Sequence, residues 1–121
     1  MLTIHGKSIS GTSLTQRFPT AQIQTGSWNY ITYTQEGGNF NGIKVYINNS
    51  VAYQPTGSGV IDYTPITGTI KWKLGGGDIL GSNRQLRGNI VGATIYGGRV
   101  LTQAEVAENY LIEQNYFSSL T

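Results

Sequence analysis

Residues 86–110 read Leu86-Arg87-Gly88-Asn89-Ile90-Val91-Gly92-Ala93-Thr94-Ile95-Tyr96-Gly97-Gly98-Arg99-Val100-Leu101-Thr102-Gln103-Ala104-Glu105-Val106-Ala107-Glu108-Asn109-Tyr110. This spells one long strand, a tight Gly-Gly corner and a single short helix, in a chain that elsewhere carries only strand and turn signals. Val91, Ala93 and Ile95 alternate along one apolar face. Ile90 has the opposite parity, which predicts a bulge near Gly92. The helix entry is well specified. Thr102 is placed as N-cap with Glu105 three residues on, so hydroxyl and carboxylate can each satisfy a backbone N–H left open by the first turn. Leu101, just before the cap, can pack on Val106 as a hydrophobic staple. The helix is expected from Gln103 to about Gln114, with Val106, Tyr110 and Glu113 near one line and Ala107 and Leu111 beside it, a narrow apolar stripe suited to the edge or mouth of a sheet structure.

Upstream, Trp28 to Gln35 reads as a strand, with Ile31 and Tyr33 on one face and Trp28, Tyr30 and Thr32 on the other. Residues 36–42 form a loop. Ile43, Val45 and Ile47 then alternate with Lys44 and Tyr46. Asn48-Asn49 tolerates the positive φ of a hairpin turn, and Val51 to Tyr53 returns. Weaker strand signals lie at Leu2 to His5, Ala21 to Gln24 and Val60 to Tyr63. Thr69 to Leu74 alternates well, with Ile70, Trp72 and Leu74 opposite Lys71 and Lys73, before Gly75-Gly76-Gly77-Asp78 breaks the run. Residues 79–85 form a second loop. No spacer divides the sequence, so residues 1–121 read as one domain, with 1–14 as an extended arm whose polar part, Lys7 to Leu14, is either flexible or pinned by pairing with another chain.

Several of these pieces resemble a known family. Trp28-Asn29-Tyr30-Ile31-Thr32-Tyr33-Thr34, then Gly42-Ile43-Lys44-Val45-Tyr46-Ile47-Asn48-Asn49, then Leu74-Gly75, then Gly88 to Tyr96 with the capped helix to Tyr110, are similar, in order, to the strands and closing helix of laminin-G-like, concanavalin A-like jelly rolls. The resemblance covers about Trp28 to Tyr110. It implies an all-β fold, an antiparallel two-sheet jelly-roll sandwich with one short C-terminal helix. Family members place several strands ahead of the equivalent of Trp28, where this chain has 27 residues. Those strands are either pruned or supplied by a neighbouring chain, and the second case makes a homo-oligomer or a larger particle.

Composition narrows the function classes. Charged residues are 12% of the chain and the net charge is +2. The basic residues Lys7, Arg17, Lys44, Lys71, Lys73, Arg84, Arg87 and Arg99 are scattered, unlike the one-sided cluster that grips nucleic acid. There are no cysteines, which excludes disulfides, thiolate metal sites and cysteine nucleophiles. No run approaches the roughly 18 apolar residues of a membrane span, and Met1 to Lys7 lacks the apolar core of a signal peptide. A virion or extracellular surface is then expected to be reached by assembly into a particle or by excision from a longer protein.

Catalytic chemistry finds little support. Glycan hydrolases that share the jelly-roll fold carry paired carboxylates on alternate strand positions. The six acids here, Glu36, Asp62, Asp78, Glu105, Glu108 and Glu113, include no such pair. His5 lies near one terminus with no evident triad partner. Gly75-Gly76-Gly77 lacks the Gly-Lys-Ser/Thr of a phosphate loop and reads as a turn. Asn48-Asn49-Ser50 matches the N-glycosylation pattern but also makes a plain hairpin tip. The resemblance raises calcium, which takes about six to eight hard oxygens. Asp78 and Asn83 in one loop are the candidate donors, with Asn39, Asn41 and Asp62 as further oxygens, and no other cofactor is implied.

For a glycan, an aromatic face beneath the sugar ring and amide or charged groups at its hydroxyls are required. Tyr30, Tyr46, Tyr53 and Trp72 are the aromatic candidates, and Asn39, Asn41, Asp78, Asn83 and Arg84 the polar ones. The resulting expectation is a non-catalytic, lectin-like surface module for adhesion or glycan recognition. Its rival is a phage virion structural protein, a capsid decoration or tail-fibre component, that uses the same fold only for assembly.

Overall fold

The computed structural model of the chain describes residues 2–7, 10, 13–18, 23–55, 59–62 and 86–119. Two compact units are present, residues 1–63 with 98–121, and residues 64–97. The expected strand at 69–74, the turn at 75–78 and the loop at 79–85 lie outside the described residues.

In the first unit β1 (Leu2–Lys7) pairs antiparallel with β2 (Ser13–Phe18), Leu2 opposite Phe18 and Lys7 opposite Ser13. A separate three-stranded antiparallel sheet, ordered β3-β4-β5, comprises Ile31–Gln35, Ile43–Ile47 and Ser50–Tyr53. A short 3-10 turn at Phe40–Gly42 leads into β4, and α1 spans Gln103–Ser118.

β4 is central and covered on both faces, as its alternation allows. Ile43 and Val45 are each 1% exposed and pack with Phe40, Tyr53 and Ile61 on one side. On the other, Tyr46 packs with Leu101 and Val106. Asn48 turns the chain into β5 with φ 58°, the left-handed conformation that asparagine tolerates. Its backbone N–H donates to the Tyr30 carbonyl at 2.7 Å, and its Oδ1 accepts from the Tyr30 N–H at 3.1 Å. The side-chain oxygen of the first Asn in the glycosylation-like tripeptide thus helps to hold the sheet. Gly42 is needed for steric reasons: a Cβ there would collide with the Glu36 carbonyl, whose own N–H donates to the Gly42 carbonyl at 3.0 Å.

The helix start matches its sequence reading. Thr102 Oγ1 accepts from the Glu105 N–H at 3.3 Å, and the Thr102 N–H donates to Glu105 Oε2 at 2.8 Å. Leu101 and Val106 lie in one buried cluster, as the staple requires. Arg99 adds an ion pair to Glu105 at 2.7 Å. The helix runs four residues beyond the expected Gln114, while Leu111, Ile112 and Tyr116 stay exposed.

The jelly-roll sandwich is corrected. Among the described residues there is a three-stranded sheet, a two-stranded ribbon and one helix, and no pair of facing sheets. Residues 86–96, expected as the closing strand with a bulge near Gly92, are without regular secondary structure and exposed. Alternation specifies which side chains share a face but not that a partner strand is present, and Gly88 and Gly92 weaken any strand they interrupt. Ile23 and Gln24 are not in a strand either. Val60 makes only an isolated bridge to Asn39.

Two outcomes test the helix start. Thr102→Ala should cost about 1 kcal/mol, read as a lower denaturant midpoint. The Arg99 side-chain hydrogen bond, followed by those of the Thr102 N–H and hydroxyl, holds the Glu105 carboxyl at about 2. A depressed folded-state value means the contribution is complete above the ordinary value of 4.5 and is lost as pH falls through about 2. Helical ellipticity should therefore decline across that window. Glu105→Gln, which keeps the capping geometry, should flatten the decline.

Candidate functional site

The three-stranded sheet and the first turn of α1 enclose a groove of about 430 Å³. β3 contributes Thr34, with Glu36 just beyond its end; β4 contributes Lys44 and Tyr46, and β5 Val51. Gly42 and Gln54 flank these, and Val100, Leu101, Thr102 and Gln103 close the helical side. Strand pairing explains the grouping. Thr34 lies directly opposite Lys44, and the Glu36–Gly42 hydrogen bond continues that register, so Thr34, Glu36, Lys44 and Tyr46 share the helix-facing side.

The electrostatics of this groove are mixed. No ion pair joins Lys44 or Glu36 to an opposite charge among the described residues. Thr34 is 6% exposed, and its hydroxyl is buried without a hydrogen-bond partner. Glu105 is engaged by Arg99 and by the cap, so its charge is already answered. Val51, Val100 and Leu101 supply an apolar wall.

The residues expected to bind a glycan do not converge. Tyr46 is 2% exposed and packs against the helix. Tyr53 lies in register with Val45 and packs against the cluster on the other face, where burial raises its hydroxyl above the ordinary value. Tyr30 is half-buried with its ring 6.0 Å from that of Tyr110. Asn39 and Asn41 are exposed in the loop before β4, where the Asn39 carbonyl accepts from the Gly42 N–H at 3.0 Å and from Gln35 Nε2 at 3.0 Å. Trp72, Asp78, Asn83 and Arg84 lie outside the described residues, and the calcium loop with them. Among the described residues no three His, Cys, Asp or Glu side chains gather as a metal site would require.

Thr34, Glu36, Lys44, Gln54 and Gln103 were not singled out by the sequence. The alternation of Thr34 with Glu36 and the central place of Lys44 were visible in it, but the register that joins them was not. Gln103 enters only through the packing of Leu101 and Val106 on Tyr46.

A second feature is apolar. Along residues 86–97, Leu86, Ile90, Val91, Ile95 and Tyr96 are all exposed, Ile95 at 74%. No charged residue occurs from Gly88 to Gly98. Among the described residues no helix is long and apolar enough to cross a membrane. Compared with known protein families, with characterised proteins and with solved structures, the chain matches none.

The orphan hydroxyl of Thr34 gives a direct test of the groove floor. Thr34→Val removes an unpaired buried polar group at nearly constant shape, and stability should rise by about 1 kcal/mol. A fall in the thermal midpoint would show that the hydroxyl has a partner.

Proposed function

We propose that this chain is a non-catalytic structural module of a particle or cell surface, acting through assembly with further copies of itself. The observation that carries this reading is the exposed, charge-free apolar stretch from Ile90 to Tyr96. Contiguous apolar surface of this kind marks interaction sites, because leaving it in water forgoes about 25 cal/mol for every Å² that could be covered. Three of the described carboxylates belong to α1, where Glu105 is engaged in the cap and Glu108 and Glu113 lie farther along the helix. A capsid decoration or fibre component of a phage is the particle role that fits such a module.

Glycan recognition has less behind it, since Tyr46 and Tyr53 have their rings packed on opposite faces of one sheet. The deciding measurement is solution mass by light scattering across a concentration series, paired with binding to immobilised glycans. The expected result is a multiple of 13.1 kDa, reduced to the single-chain mass by Val91→Asp with Ile95→Asp, and no glycan retained. A single-chain mass at every concentration, with retention on a glycan surface, would replace assembly by recognition.

A further inference from the structure

We propose that the groove beside the first turn of α1 binds a small zwitterion of the α-amino-acid type, Lys44 taking its carboxylate and Glu36 its ammonium group. This site shares no residue with the apolar stretch on which the assembly reading rests. Register makes Lys44 and Glu36 diagonal neighbours on one face of the sheet, since Thr34 is opposite Lys44 and Glu36 is opposite Gly42. Diagonal neighbours stand about 7–8 Å apart at the backbone, close enough for two long side chains to reach one small ligand.

Neither charge lies within 4.0 Å of an opposite one among the described residues. The chemistry of the ligand follows from that unjoined pair. A simple anion would satisfy Lys44 and be repelled by Glu36; a simple cation would do the reverse. An uncharged polyol would neutralise neither. A molecule carrying both charges answers both, through charge-assisted hydrogen bonds that are the stronger kind.

The surroundings agree with this assignment. The positive end of the α1 dipole lies at Gln103 on the groove's helical side and favours a carboxylate there. The one acid at that helix end, Glu105, is neutralised by Arg99 at 2.7 Å. Thr34, 6% exposed with its hydroxyl unpartnered, lies on the same floor. Val51, Val100 and Leu101 can take an aliphatic side chain, and Gln54 and Gln103 add amides. The volume of about 430 Å³ falls within the roughly 300–1,000 Å³ of small-molecule sites.

The test is an amide-resolved NMR titration of the full chain with L-leucine, N-acetyl-L-leucinamide, acetate and glucose. Leucine should move the amide signals of Thr34, Glu36, Lys44 and Gln103, and N-acetyl-L-leucinamide, which has the same side chain and no charges, should not. Lys44→Met and Glu36→Gln should each weaken leucine binding about tenfold, the effect of one lost charge-assisted hydrogen bond, with the unfolding midpoint unchanged. If a variant lowers that midpoint, the ligand panel on the unaltered chain decides alone. The proposal is overturned if leucine moves none of these signals, if the uncharged analogue moves them equally, or if glucose or acetate moves them and leucine does not. Leucine binding that survives both substitutions overturns it as well.

Discussion

The structure depends on the burial of both faces of one five-residue strand. β4 reads Ile43-Lys44-Val45-Tyr46-Ile47, and each parity has its own cover. The odd residues Ile43 and Val45 lie under Phe40, Tyr53 and Ile61, while Tyr46 meets Leu101 and Val106. Among the described residues Ile43, Val45 and Val106 are the largest side chains wholly removed from water, and each such burial is worth about 1.5–3 kcal/mol. A strand covered on one side only would leave the helix without a seat.

The placement of α1 follows from that seat. Leu101 and Val106 flank the cap and are the residues that reach Tyr46, so the cap geometry and the packing site lie within one turn of each other. Farther along, Tyr110 approaches Tyr30 with ring centroids 6.0 Å apart, while Leu111, Ile112 and Tyr116 remain exposed. Where these contacts stop, Lys44 and the residues beside it border a groove rather than a packed helix. The groove is thus a by-product of where the apolar contacts stop, and its opposed charges are what give it chemistry.

Legibility varied with the range of the interaction concerned. The capping box at Thr102 and Glu105, the Leu101–Val106 staple, the Asn48 turn and the alternation of β4 were all readable, because each is settled within a few residues. The assignment of 86–96 to a closing strand failed for the opposite reason: its alternation of Val91, Ala93 and Ile95 is real, but a strand exists only with a partner. The resemblance to laminin-G-like jelly rolls rested on that strand and on such local patterns, and local patterns are shared by sheets of different topology. Phe40, placed in a loop, became part of the core because the 3-10 turn at Phe40–Gly42 swings it beneath Ile43. The proximity of Glu36 and Lys44 was not legible because it is a matter of register.

By itself the amino-acid sequence determined where the helix begins, where the hairpin turns and which residues of β4 face opposite ways. Tertiary structure decided which strands have neighbours, that Tyr46 and Tyr53 belong to opposite cores, and that Thr34, Glu36 and Lys44 border one groove. The division has a physical cause. Caps, turns and side-chain parity depend on backbone groups a few bonds apart, whereas pairing and burial depend on surfaces that the chain brings together only after it has closed long loops.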